Sequence, residues 1–292
     1  MILVTGATGT VGSEVLRLLV RRGVAVRAST RDPVRLRSFE ADVEVVKADF
    51  ETPRTLRAAA TGVEAVFLLT APGASVAEHD LAMINAARAA GVRKVVKVSA
   101  IGGREAADTA PAGWHAPGER ALAESSLAWT VLRPSSFASN ALQWAGAIRA
   151  GTPVPNMTGT GAQGVVDPRD IAEVAVETLL STENDGAVLT LTGPELINVP
   201  SQVAALAEAL EQPLSTVDVP LEAAKEQMLA AGVDPSVVEV AVRGYQLVSE
   251  GGNAVVTDHV EHVLGRPARA FRTWAREHRA AFLDTGITPR GA

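Results

Sequence analysis

"VTGATGTVG", residues 4–12, decides the fold. Gly6, Gly9 and Gly12 recur at three-residue spacing, directly after the apolar run Ile2–Thr5 and directly before a helical pattern over Ser13–Arg22. A strand, a glycine turn and a helix in that order let the backbone bend tightly, approach a pyrophosphate and aim a helix N-terminus at its charge. A glycine turn alone is a weak signal. Its place between a first strand and a helix, with a second strand following on schedule, makes it specific.

Outward from that turn, short β-branched runs alternate with helical patterns, the signature of a doubly wound parallel sheet. Strands are expected at Ile2–Thr5, Ala25–Thr30, Glu44–Ala48, Ala65–Thr70, Lys94–Ser99 and Trp129–Leu132. Most are apolar throughout, as required when helices cover both faces. Asp32-Pro33, Thr52-Pro53 and Asp167-Pro168 each set a capping residue before a proline suited to a first helical turn. Gly23, Gly62 and Gly91 fall where helices should end. Residues 151–165, rich in glycine and proline, read as a loop beside a site. A helix at Pro168–Leu180 and a strand at Ala187–Thr192 are expected to return to the sheet. Beyond Val199 the pattern is mostly helical, as in "VAALAEALEQ" (203–212) and "SVVEVAVRGYQLV" (236–248). The expected fold is α/β: a Rossmann-type, doubly wound parallel sheet over residues 1–150, with 166–195 returning to it. A smaller, mostly helical substrate domain is expected from 151–165 and 196–292.

The 292 residues, 47% of them apolar, can bury a sizeable core. A net charge of −6 without a long basic run argues against a nucleic-acid partner. The absence of cysteine excludes disulfides, thiolate metal sites and a cysteine nucleophile. His259-x-x-His262, the one close histidine pair, would share a helix face, but its charged neighbours suit a plain surface and no metal is expected. Met1–Val4 runs straight into the glycine turn, so no cleavable leader is expected, and no apolar run has the length of a membrane span. The expectation is a soluble cytoplasmic protein. No feature of the sequence specifies an oligomeric state.

Cofactor choice is read at the end of the second strand, "AVRASTRDP" (25–33). An acid about 20 residues past the glycines holds a ribose 2′-hydroxyl, whereas an arginine accommodates a 2′-phosphate. Asp32 falls near that acidic spacing but is better explained as the cap before Pro33. Ser29, Thr30 and Arg31 remain, and Arg31 can pair bidentately with a phosphate or simply be solvated. NADP is favoured over NAD. Asp49 and Phe50 close the third strand, where a carboxylate can accept from an adenine amino group or be an ordinary loop acid. "LLTAPG" (68–73) ends the fourth strand at the expected crossing point of the sheet. Ser99 ends the fifth strand at the same edge, and Pro134-Ser135-Ser136-Phe137 the sixth.

Taken together, "MILVTGATGTVG", "STRDP", "ADF", "VVKVSAIGG", "LAWTVLRPSSF" and "VVDPRDIAEVAVETLL" resemble the NmrA-like group of atypical short-chain dehydrogenases. The resemblance covers about the first 195 residues; the rest matches only in being helical. It implies NADP(H) binding at Gly6, Thr8, Gly9, Thr10, Val11, Gly12 and Arg31. It further implies contacts from Asp49, Phe50, Thr70, Ala71 and Pro72, with the nicotinamide near Ser99 and Pro134. Some members of this group reduce quinones or enones; others are redox sensors that bind NADP without turnover.

The wider superfamily uses a Tyr-x-x-x-Lys pair, in which tyrosine donates a proton as hydride arrives and lysine lowers its pKa. Here that spacing reads His115-x-x-x-Glu119. The only tyrosine, Tyr245, lies in the C-terminal helical region, and Lys47, Lys94 and Lys97 sit on expected strands, so no Tyr–Lys pair can be drawn. His115 is a credible proton donor near neutral pH. Pro117 fits only a first helical turn, which puts His115 at the helix mouth and leaves a structural role equally open for His115 and Glu119. Ser99 likewise either bonds a ligand or only ends a strand. Trp114, Phe137 and Trp144 flank the expected nicotinamide end and could wall a flat substrate, or pack. Trp129 reads as core.

The resulting expectation is an NADPH-dependent reductase of a quinone, enone or other conjugated small molecule. Hydride delivered to such an acceptor yields a delocalised anion that needs positioning and one weak donor. The alternatives are a non-catalytic NADP-binding redox sensor, and an enzyme that uses the cofactor without net redox change.

Overall fold

The computed structural model describes residues 1–39, 41–101 and 113–283. Gly102 and Gly103 of the "VVKVSAIGG" motif, and residues 284–292 of the expected second domain, lie outside the described residues. The chain runs β1 (Ile2–Val4), α1 (Thr10–Arg21), β2 (Val26–Thr30), β3 (Glu44–Lys47), α2 (Pro53–Ala60), β4 (Ala65–Leu68) and α3 (Val76–Ala89). It continues through β5 (Lys94–Val98), α4 (Ala116–Ala123), β6 (Ala128–Pro134), α5 (Ala145–Arg149), β7 (Val154–Asn156), α6 (Pro168–Leu180) and β8 (Ala187–Leu191). The remainder is α7 (Val199–Leu210), β9 (Thr216–Asp218), α8 (Leu221–Ala230), α9 (Pro235–Ser249), α10 (His259–Leu264) and α11 (Phe271–Glu277).

Two compact units result. The first comprises residues 1–134, 168–191 and 259–266 and holds a parallel seven-stranded sheet in the order β3-β2-β1-β4-β5-β6-β8. Strand order reverses between β1 and β4, so the loops leaving those strands part to opposite faces and open a crevice at their carboxyl ends. On one face Leu3, Val66, Leu68 and Val95 pack against Leu56 of α2, Met83 and Ile84 of α3 and Leu122 of α4. Each such side chain contributes about 1.5–3 kcal/mol when fully buried. On the other face α1 lies beside α6, with Val11, Val15, Leu16 and Leu19 turned inward at helical spacing.

The second unit comprises residues 135–167, 192–258 and the chain from 267. Trp274 is at the centre of its core, with Trp144, Ile148, Val154, Val203, Leu206, Phe271 and Phe282. The first unit therefore ends at Pro134 and not at 150, because Ala138, Ala141, Trp144, Ala145 and Ile148 bury their apolar side in the core shared with α7 and α11. Conversely, α10 belongs to the first unit: His259 Nδ1 accepts from the Thr190 N–H of β8 at 2.9 Å, and Arg266 pairs with Asp170 of α6 at 2.8 Å.

The stretch expected as a loop, 151–165, contains β7, whose parallel partner β9 lies sixty-odd residues further on (Asn156 opposite Asp218). A local pattern cannot reveal a partner so distant. Two of its glycines answer to packing: a Cβ on Gly161 would lie 2.3 Å from the Val248 carbonyl oxygen, and one on Gly164 2.4 Å from that of Val255, whereas Gly151 and Gly159 serve turns at φ +66° and +55°. Among the described residues no helix is long and apolar enough to cross a membrane.

Candidate functional site

The glycine turn is built by close backbone approach. Gly6 has φ +61°, and a Cβ there would meet Leu69 at 3.0 Å. A Cβ on Gly12 would sit 2.1 Å from the Gly6 carbonyl oxygen, so the first turn of α1 can pass beneath the loop only without a side chain. This is why α1 starts at Thr10, three residues ahead of the expected Ser13. Thr5 closes the turn from below, accepting from the Leu69 N–H at 2.8 Å and donating to the Leu69 carbonyl at 3.0 Å. Gly9 caps α1 without a side-chain hydrogen bond, and with Thr10 it is exposed at the helix mouth; Thr8 is half-buried and Val11 points into the core. Unpaired helix N–H groups, a positive helix end and no Cβ in the way fit the diphosphate of a dinucleotide.

At the end of β2 the three candidates for a 2′-phosphate separate. Ser29 is buried against the Val4 carbonyl, and Thr30 accepts from the Asp32 N–H at 3.2 Å. Asp32 Oδ1 caps the following turn through the Val34 N–H at 3.1 Å. Arg31 is exposed and makes no hydrogen bond or ion pair among the described residues. Asp49 Oδ1 accepts from the Glu51 N–H at 3.2 Å, and the Phe50 ring stacks on His79 at 5.2 Å. Ala71 and Pro72 are exposed after β4, whereas the Thr70 hydroxyl turns inward to Asp80 Oδ1 at 3.2 Å.

At the carboxyl ends of β5 and β6 two polar groups form. In the first, Arg133 grips Glu119 through Nη2 to Oε2 at 2.7 Å and Nε to Oε1 at 3.1 Å, and the Ser99 hydroxyl donates to Oε1 at 2.5 Å. Burial alone would push the Glu119 pKa up; the Arg133 and Ser99 hydrogen bonds outweigh it and hold the carboxyl below its ordinary value. In the second, Lys97 and Asp80, both 0% exposed, pair at 2.5 Å, and Lys97 Nζ also lies 3.0 Å from His115 Nδ1. His115 is the residue before α4, with Pro117 in the first turn and Glu119 fourth in the helix. Burial lowers the His115 pKa most, Asp80 opposes that, and Lys97 adds to the lowering, leaving the ring below the ordinary imidazole value.

Reading along the chain picked out His115, Glu119 and Ser99 but passed over Asp80, Lys97, Arg133 and Gly118. A signal existed. Lys97, set between valines of the central strand "KVVKVS" (94–99), demands a buried counter-charge. An aspartate on the apolar side of "VAEHDLAMINAARA" (76–89) is a candidate to supply it. Gly118 admits it: a Cβ there would lie 2.7 Å from Asp80 Oδ2.

Of the aromatic candidates, Trp114 is half-buried beside His115 in the first unit and Phe137 half-buried in the second. Trp144 is in the second unit's core, where its area is taken up by packing. Tyr245 lies on α9 in the second unit, and burial raises its pKa, making it a weaker acid. Pro134 ends β6, buried. A groove of about 660 Å³ lined by Arg88, Arg93 and Ser126 lies at the opposite edge of the sheet, ahead of β5, away from the glycine turn.

A parallel sheet with its order reversed beside a glycine turn and a free helix N-terminus defines a dinucleotide-binding protein. Residues 6–182 match the NAD(P)H-binding family model. The chain is 36% identical to the NAD(P)H azoreductase of Xenophilus azovorans, over 97% of this chain and 99% of that protein. It is 38% identical, over the same shares, to a (4-alkanoyl-5-oxo-2,5-dihydrofuran-3-yl)methyl phosphate reductase of Streptomyces griseus. Its fold matches that of the NADPH-dependent quinone oxidoreductase QOR2 of Escherichia coli in complex with NADPH, with a TM-score of 0.85, 22% identity, and 95% and 99% of the two chains covered. The chain belongs to the NAD(P)H-binding family, and within it to the NmrA-like atypical short-chain dehydrogenases that its motifs resemble.

Proposed function

We propose that this protein is an NADPH-dependent reductase of conjugated small molecules such as quinones, enones or azo compounds, acting in the cytoplasm where reduced cofactor is regenerated. The observation that carries the reading is the donor: a largely buried histidine, His115, in place of a Tyr–Lys pair, in the same unit as the dinucleotide cradle. The end-to-end relatives named for an azo compound and for a 5-oxo-2,5-dihydrofuran, whose ring double bond is conjugated to its carbonyl, support it.

The reduced nicotinamide, when bound, supplies hydride. The chain's own residues do the rest. The N–H groups of Thr10–Gly12 hold the diphosphate, the Gly9 N–H being given to the Gly6 carbonyl within the turn, and Arg31 pairs with the 2′-phosphate, which favours NADPH over NADH. Asp49 and Phe50 serve the adenine, and Ala71 and Pro72 border the crossing point. His115 offers one N–H to the oxygen or nitrogen that gains charge in the acceptor. A delocalised anion tolerates so weak a donor, whereas an isolated alkoxide does not. Ser99 and Glu119 serve as supports, since the serine proton is already given to the carboxylate. Of the flat walls, Trp114 lies in the same unit as His115 and the cradle, whereas Trp144 is committed to the second unit's core.

The test is loss of reduced cofactor with purified protein and a panel of quinones, enones and azo dyes, with simple ketones as controls. Turnover with the conjugated compounds and none with ketones is the expected result. Tight NADPH binding with no turnover across the panel would replace the enzyme with a sensor.

A further inference from the structure

Lys97 is the fourth residue of β5, a strand with no exposed position. Its ammonium has three N–H groups and no lone pair. Asp80 Oδ2 forms an ion pair with it at 2.5 Å, and the Val98 carbonyl oxygen at 3.1 Å and His115 Nδ1 at 3.0 Å take its hydrogen bonds. Asp80 is itself fixed: Thr70 donates to its other oxygen, and Gly118 leaves the space its carboxylate fills. Asp80 Oδ2 is 3.8 Å from His115 Nδ1, beyond hydrogen-bond reach, so the lysine stands between carboxylate and ring. A group that cannot accept a proton must face a ring nitrogen that carries none, which leaves the single ring proton on Nε2.

We infer that Lys97, anchored by Asp80, is a positioning residue for His115: it fixes the Nε2–H tautomer, blocks protonation at Nδ1 and places a positive charge behind the one ring N–H left for a ligand. The charges that reach the ring are Lys97 from β5, Asp80 from α3 and Glu119 from α4, the last already neutralised by Arg133. Three elements thus converge on one nitrogen. For a conjugated acceptor, a donor N–H backed by an ammonium stabilises charge as it develops, without the ring first taking up a proton. The chemical use rests on the reductase reading above; the tautomer is a property of the protein alone.

The two can be tested apart. Long-range ¹H–¹⁵N correlation spectra of the full-length, cofactor-free protein, with His115 assigned by its loss in His115→Gln, report which ring nitrogen bears the proton. Nε2–H with a bare Nδ1 at neutral pH is expected. In Lys97→Met the ring loses the ammonium and keeps Asp80, and its pKa should rise relative to the wild type. Should that variant not fold, Lys97→Met combined with Asp80→Asn removes both charges, and the preference for Nε2–H should then be lost. A proton on Nδ1 in the wild type overturns the inference. So does an unchanged His115 tautomer and titration in a folded variant. Absence of turnover in the acceptor panel would instead overturn the reductase reading and leave the tautomer result standing.

Discussion

The glycine turn at Gly6–Gly12 and the charged cluster of Asp80, Lys97 and His115 lie in one unit and work by opposite means. The turn offers an anion backbone groups, and it is built because side chains are missing: a Cβ at Gly12 would be 2.1 Å from a carbonyl oxygen. The cluster recognises nothing by backbone. It is built from three ionisable side chains of α3, β5 and the turn before α4 packed together, Asp80 and Lys97 fully buried and His115 largely so. Binding can be written in nine consecutive residues, whereas tuning a donor requires groups that only the folded chain brings within 4 Å of one another. Behind the imidazole, the pair does what a neighbouring lysine does for a phenol in Tyr-x-x-x-Lys enzymes, from a strand and a helix instead of one helical turn.

The comparison is broken most severely at Lys97. Lys97→Met takes the ammonium from the buried Asp80 carboxylate, which the His115 ring 3.8 Å away offsets only in part, and should cost about 3–5 kcal/mol in urea unfolding, with much of it recovered when Asp80 is also neutralised. An unfolding midpoint unchanged in the single variant would mean that water or another cation reaches Asp80.

Next is Glu119→Gln, expected to cost about 1.5–3 kcal/mol at neutral pH through its charge-assisted bonds. The folded carboxyl titrates below its unfolded value near 4.5, so this stability is fully present above that value and is lost as pH falls through the lower folded value. The wild-type and variant stability curves should therefore run apart at neutral pH and meet on acidification. Curves that stay apart in acid would detach the effect from ionisation.

On the cradle side, Gly12→Ala should weaken NADPH binding by roughly tenfold or more, since overpacking costs about 1–3 kcal/mol, while the His115 tautomer stays as in the wild type. Titration calorimetry and the same NMR spectra check both halves, and a tautomer change in this variant would show the two regions to be coupled. The smallest effect is expected at Arg31, which is exposed. Arg31→Ala should lower the ratio of NADPH to NADH affinity by roughly tenfold, about 1.4 kcal/mol, and less at high salt. Equal affinity of the wild type for both cofactors would remove Arg31 from the site.

Much of the first unit was legible along the chain because its signals are local. Apolar runs of strand length, a proline at Pro53 or Pro168 opening a helix and the glycine spacing all act within a few residues. Arg31 separated from Asp32 by the same kind of reasoning, since capping Val34 is a contact two residues away. The strand β7 inside 151–165 and the division at Pro134 were not legible, because they depend on Thr216–Asp218 and on Val203 and Leu206.

The sequence by itself determined that this chain folds around a parallel sheet and opens with the glycine turn of an NAD(P)H-binding family, and it carried the family resemblance. These follow from backbone sterics and hydrophobic period, which each short segment states alone. Only the tertiary structure decided what His115, Glu119 and Ser99 are. The ionisation and hydrogen bonding of His115 and Glu119 are set by Lys97, Asp80 and Arg133, which lie 14 to 35 positions away in sequence yet within 4 Å in space, and Ser99 is held in turn by Glu119. Electrostatic interaction in a dry interior depends on distance through space, and no spacing along the chain encodes it.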